Sequence, residues 1–324
     1  MPANRSFSTG LLIHCYQNTR EGFLIFHTVD DCLVFFTYFC IASRRHHIRV
    51  ISLCLMPDHV HFIVTADTEQ DLSAFVRDYT SWFVKDYNHT WHHSGPFFNT
   101  PFGSAVKRGD KAARTNIIYV GNNPVERRLS TSAEEYRWNF LSYYNNPSPY
   151  SAHLVIRKAS FRMRSLIYEI KSMHSKGRAV SYAYLRNAMS RLDSVEKNQL
   201  ADYIIRTYSV IDYDYAIRFF DTRVNMLAAM KYNTGSEYDI NETFVGRSDT
   251  IYRELSSYIM MKKGIKDIHD ILDWDERDKI ALANELHTRT GANPIQIAKF
   301  LHLKRSRQRL LFQGFTKKSL PQMR

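Results

Sequence analysis

His59 and His61 flank Val60 in the run Leu55-Met56-Pro57-Asp58-His59-Val60-His61-Phe62-Ile63-Val64. In an extended chain, residues i and i+2 point to one face, so both imidazoles project together while Val60 turns the other way. Two imidazoles on one face are half of a site for a divalent metal, and a further ligand must come from elsewhere. A second chemistry-bearing pair, Tyr119 and Asn123, lies in Asn116-Ile117-Ile118-Tyr119-Val120-Gly121-Asn122-Asn123-Pro124. Four residues apart, they share one face of a helix. A phenol and an amide carbonyl placed there offer a nucleophile and a neutral oxygen ligand. Taken singly, each pair also has a plainer reading: surface histidines on a strand, and a buried tyrosine followed by an asparagine that caps the helix before Pro124.

The elements that must position these pairs lie around them. Residues 8–17 form an apolar strand, closed by Asn18. Residues 29–45 have helical spacing, with Asp30 and Asp31 at the start and Arg44 and Arg45 at the end, charges that suit the helix dipole. Two strands, 48–55 and 60–64, are separated by a turn at Pro57-Asp58. Residues 71–91 are helical again, 104–107 form a short strand, and a third helix runs from about Lys111 until Pro124 stops it. Gly121 inside that helix costs up to ~1 kcal/mol against alanine, which suggests a short or mobile last turn. The order β-α-β-β-α-β-α is the split βαβ arrangement of ferredoxin-like domains with an added helix.

The segments Met56-Pro57-Asp58-His59-Val60-His61, Tyr119 with Asn123-Pro124-Val125, and Glu135-Tyr136-Arg137-Trp138 occur in an order that resembles the IS200-like, REP-associated tyrosine transposases of the HUH single-strand nuclease superfamily. The resemblance covers roughly residues 8–145. It implies that His59, His61 and Asn123 hold a divalent cation, Mg2+ or Mn2+, and that Tyr119 is the nucleophile. It further implies a metal-dependent single-strand DNA transposase that cleaves and rejoins hairpin or repeat DNA through a 5′-phosphotyrosine. Tyr143 and Tyr144 are rival nucleophiles but lack an asparagine four residues on. Two features depart from the family pattern. The stretch 102–108 keeps only its basic end, Lys107 and Arg108, as a DNA contact, and Asn18-Thr19-Arg20-Glu21 replaces an Arg-Gly pair. A non-catalytic, domesticated DNA-binding or repressor protein of the same fold is the alternative. An RNA-binding ferredoxin-like protein fits less well, because the aromatic RNP motif is missing.

Composition bounds the rest. The chain has 324 residues, an apolar content of 44% and a charged content of 23%, which exclude a disordered or collagen-like chain. Its net charge of +12 points to an anionic partner. That charge is uneven: residues 1–150 hold 14 Lys+Arg against 13 Asp+Glu, so nearly all the excess falls in 151–324. Cys15, Cys32, Cys40 and Cys54 show no pairing pattern and read as buried thiols of a reducing compartment. With neither a signal-peptide pattern nor a membrane-length apolar run, the expectation is a bacterial cytoplasmic, nucleoid-associated protein with no membrane partner.

The organisation expected is therefore α+β. A ferredoxin-like HUH domain occupies residues 1–150, and a mostly α-helical, basic DNA-binding region occupies 151–324. Within the latter, 293–312 resembles a helix-turn-helix for duplex DNA. Asn293 would cap its first helix and Pro294 open it, with His302 at the usual turn glycine. The second helix, 305–312, would present Arg305, Arg307 and Arg309 to the groove. An ordinary helical hairpin with a basic tail is the simpler reading. Oligomeric state is not encoded in any motif found.

Overall fold

The computed structural model describes residues 6–232 and 248–304. Strand β1 spans Leu12–Asn18, and helix α1 spans Val29–Arg45. Thr28 opens that helix with a reciprocal cap: its hydroxyl accepts from Asp31 N–H, while the Asp31 carboxylate reaches back to Thr28 N–H. Strands β2 (Arg49–Met56) and β3 (His59–Thr65) follow, joined by the Pro57-Asp58 turn, and then helix α2 (Glu69–Thr90). Strand β4 (Gly103–Lys107) leads into helix α3 (Gly109–Glu126). The four strands form one antiparallel sheet in the order β2-β3-β1-β4, the ferredoxin-like order.

Both faces of the sheet are covered. On one side Cys15, Val60 and Phe62 pack under α1 and α2, with Phe39 meeting Phe62 edge-on at 5.4 Å. On the other, Leu12, Met56 and Ile63 pack under Ile117, Ile118 and Val120 of α3. Burial on each side, about 1.5–3 kcal/mol for each large apolar side chain, fixes the strand register, because a one-residue slip would exchange the two faces.

Helix α3 does not stop at Pro124. The proline removes only the bond its own nitrogen would donate, and Arg127 N–H still reaches Asn123 O at 3.1 Å, so the helix continues to Glu126. Nor does Gly121 mark a loose turn. A Cβ there would lie 2.7 Å from Met230 Cε, so the bare backbone makes room for the later helix that carries Met230.

The second half is helical: α4 (Phe161–Ser175), α5 (Tyr182–Met189), α6 (Ser194–Tyr208), α7 (Tyr213–Ile217), α8 (Arg223–Tyr232), α9 (Ile251–Lys263), α10 (Glu276–Thr290) and α11 (Pro294–Phe300). Leu166 of α4 and Ile204 of α6 belong to the same apolar cluster as Phe36 and Phe39 of α1. Helices α9 to α11 close a separate cluster around Leu255, Leu286 and Phe300, which Leu24 joins. Gly291 ends α10 in the left-handed conformation, and Asn293 with Gln296 forms a capping box that opens α11 at Pro294. His302 stands where a turn glycine was expected and has the φ of +56° such a position demands. The expected second helix, with Arg305, Arg307 and Arg309, lies outside the described residues. All four cysteines are buried, and none forms a disulfide. No described helix is long and apolar enough to cross a membrane.

Candidate active site

The α3-facing side of the sheet carries the first pair. His59 lies opposite Asn18 of β1 and Met56 of β2, and His61 lies opposite Tyr16 and Cys54. Their ring centroids are 4.9 Å apart and nearly perpendicular, and both residues are buried. The strand alternation thus places the imidazoles side by side, as their spacing predicts. Helix α3 then lays Tyr119 against His61, edge-on at a centroid distance of 5.4 Å. Tyr119 is 3% exposed and Asn123, one turn along the same helix, 2%. Asn123 is an internal helix residue, not a cap.

Hydrogen bonds decide which nitrogen of each imidazole faces the site. Asp58 Oδ1 lies 2.6 Å from His59 Nδ1, and a carboxylate only accepts, so Nδ1 carries a proton, and in the neutral form that binds a metal the lone pair lies on Nε2. The same arrangement, a carboxylate behind a histidine, orients metal-binding imidazoles in general. Burial disfavours the Asp58 carboxylate, but hydrogen bonding and charge from His59, followed by Lys299, hold its pKa well below the usual range. Lys299 Nζ sits on the other oxygen, Oδ2, at 2.6 Å. The turn itself is tied down: Thr19 donates to Asp58 O from both its backbone and its hydroxyl, and Ile25 N–H donates to Pro57 O. His61 Nδ1 is 3.1 Å from His14 Nε2, a contact in which either nitrogen can donate, according to the tautomers of the two rings.

The third expected donor also suits a cation. Asn123 Oδ1 is buried and has no hydrogen-bond partner among the described residues, a costly state for an amide oxygen unless something else occupies it. Two imidazoles and an amide oxygen form a donor set for a borderline or hard divalent ion. Among the described residues, no group of three His, Cys, Asp or Glu side chains is placed to hold a metal ion.

The segment around Glu135-Tyr136-Arg137-Trp138 braces both pairs. Tyr136 OH donates to Leu55 O of β2 at 2.8 Å, and Asn139 Nδ2 donates to Gly121 O of α3 at 3.3 Å. Tyr143 and Tyr144 are not brought to the histidines; their hydroxyls bond Asp202 at 2.7 Å and Asp214 at 3.2 Å. Register puts Lys107 opposite Leu12, on the site's side of β4, and Arg108 is exposed at the start of α3. The positive end of that helix favours anions at the same place.

Sequence reasoning missed four participants. His14 and Tyr16 stand on this face because β1 alternates, and the register against β3 sets them beside Ile63 and His61. Their alternation was visible, but their pairing with β3 was not. Tyr16 is half-buried and lies over Gly103, where a Cβ would come within 2.1 Å of its ring. Asp58 had read only as a turn residue, and nothing local signals Lys299.

The family model described as "Transposase IS200 like" matches residues 18–123, a span that includes His59, His61, Tyr119 and Asn123. A solved structure described as a REP-associated tyrosine transposase bound to a REP hairpin is similar over 44% of this chain and 84% of its own, with 17% identity and a TM-score of 0.39. No curated protein matches the chain. Residues 18–123, which carry the paired histidines, the tyrosine and the asparagine, are thus the part of the chain that is similar to the IS200-like transposases.

Proposed function

We propose that this chain cleaves and rejoins single-stranded DNA bearing a hairpin or repeat, with Tyr119 as nucleophile and His59, His61 and Asn123 holding Mg2+ or Mn2+. The observation that carries the reading is the convergence of Tyr119 on His61, 5.4 Å between ring centroids, from two elements inside the transposase-like span. A cation bound there would supply Lewis-acid stabilisation of charge on a non-bridging and a leaving phosphate oxygen. A free phenol has a pKa of about 10, and Tyr119 must lose its proton to attack phosphorus. The new bond joins its oxygen to phosphorus, and the bond to the 3′ oxygen breaks, leaving a free 3′-OH and a 5′-phosphotyrosine. Attack by a 3′-OH reverses these changes, restores the phenol and joins strands without a nucleotide cofactor. At 3% exposure Tyr119 is reached only if the site opens on the DNA.

Electrostatic hold comes from Lys107 and Arg108 at the β4–α3 junction. The basic second half adds to it, including Arg305, Arg307 and Arg309 in the proposed duplex-binding segment. Exposed Arg164 and Lys171 on α4 alternate with Phe161 and Tyr168, 81% and 76% exposed, a composition suited to unpaired bases.

The test is a covalent adduct. Wild-type protein, hairpin-bearing single-stranded oligonucleotide and Mn2+ should give a protein–DNA band that survives denaturation. Tyr119→Phe should give none, and Tyr16→Phe, which alters the other phenol facing His61, should retain it. An adduct undiminished in Tyr119→Phe would sink the assignment. Binding without any adduct from wild type would favour a non-catalytic DNA-binding protein.

A further inference from the structure

Helix α11, near the far end of the chain, reaches the back of the histidine site. Lys299 Nζ is 2.6 Å from Asp58 Oδ2, and Asp58 Oδ1 is 2.6 Å from His59 Nδ1. Each carboxylate oxygen therefore has its own cation or donor, and the carboxylate plane cannot turn without giving up one of them. This matters because the terminal torsion of an aspartate is soft; one partner alone leaves it a broad range. Asp58 is 7% exposed, so water does not substitute readily for either contact.

The lysine is itself held. Leu24 N–H donates to Lys299 O at 3.2 Å, and His302 Nε2 lies 2.6 Å from Leu24 O. The His302 ring stacks on Phe23 at 4.8 Å, and Gln296 Nε2 donates to Ser248 O at 3.0 Å. The Lys299 stem passes so close to Gly22 that a Cβ there would lie 3.0 Å from Cε. The helix is thus seated on the 22–25 segment by contacts that do not depend on the Asp58 ion pair.

We propose that Lys299 is a positioning residue of the metal site: it locks the Asp58 carboxylate against His59 and so aims His59 Nε2 at the cation. The inference rests on His59 being a metal ligand, and it gives the C-terminal helix a part in chemistry that the matched span, ending at residue 123, does not contain. Partners behind a metal-binding histidine are worth roughly 10–100-fold in metal affinity, and Lys299 stands one step further back. The expected loss is accordingly about three- to tenfold.

Two measurements on the full chain test it. Mn2+ affinity, read from the free-ion electron paramagnetic resonance signal, should fall about three- to tenfold in Lys299→Met and return to within about twofold of wild type in Lys299→Arg. In metal-free protein, long-range proton–nitrogen correlation should show His59 protonated at Nδ1 in wild type and a tautomer mixture in Lys299→Met. Should the methionine variant fail to fold, Lys299→Gln removes the charge and keeps a donor, and the same two readouts apply. Unchanged Mn2+ affinity and an unchanged tautomer overturn the proposal. If wild-type protein binds no Mn2+ but the tautomer shifts, the brace stands and the metal reading falls; if neither is seen, both fall.

Discussion

Two histidines in this protein lie against buried aspartates, and they are built for opposite purposes. His59 meets one carboxylate, Asp58, through Nδ1, which leaves Nε2 as the nitrogen able to offer a lone pair, and its ring lies beside His61, which Tyr119 meets edge-on. His269 meets two: its Nδ1 lies 2.7 Å from Asp267, and its Nε2 lies 3.0 Å from Asp31. With a carboxylate on each nitrogen, both nitrogens must carry protons, so His269 is an imidazolium. Its ring lies flat on Trp91 at 4.0 Å, which adds a cation–π contact. Burial alone would lower the His269 pKa, but the charge of Asp31 and the bonds to both aspartates outweigh it and raise it to about 9. An imidazole with one carboxylate can be a ligand; one with two is a buried cation that ties α1 to the segment before α10.

The largest expected effect separates the two at the level of chemistry. His61→Asn should lower metal-dependent cleavage by at least about a thousandfold, roughly 4 kcal/mol of barrier, with little change in thermal unfolding. His269→Gln should do the reverse and cost about 3 kcal/mol of stability, because Asp31 loses its buried countercharge. That loss carries a pH signature. The folded pKa of about 9 lies above the ordinary 6.5, so the pair's contribution is fully present below pH 6.5 and fades as pH rises through 9. Denaturation midpoints of wild type and variant should converge over that window. A constant gap from pH 6 to 10 would mean that His269 is not a cation, and the contrast with His59 would collapse.

How much of this was legible follows from sequence distance. The His-x-His face and the Tyr119/Asn123 face are local patterns, set by strand and helix periods, and both appear as read. The βαββαβ order was legible for the same reason, and so was the Asn293–Pro294 start of α11. Pro124 misled because a proline in a last turn deletes one bond and leaves its neighbours intact. Gly121 misled because its reason is Met230, more than a hundred residues away. The partners that decide what each histidine does are more remote still: Lys299 is 241 positions from Asp58, and His269 is 238 from Asp31. Nothing in the local composition distinguishes one Asp–His pairing from the other.

The smallest expected effect concerns the neighbour that keeps His269 company. His27 packs edge-on to His269 at 5.4 Å and to Phe300 at 5.2 Å. Burial, together with the His269 charge, lowers its pKa to about 3. A base held below its ordinary value binds its proton more readily when unfolded, so it contributes stability above pH 6.5 and loses it as pH falls toward 3. Replacing it with phenylalanine should flatten that acid limb and leave stability above pH 7 nearly unchanged. Asp30, raised to about 6 by burial and by Asp31, tilts the curve the other way, so the quantity to compare is the difference between wild type and variant at each pH. If that difference does not change between pH 7 and pH 4, then His27 is protonated in the folded protein. Asp31 would then serve two imidazolium rings, and its pairing with His269 would be weaker than the distances imply.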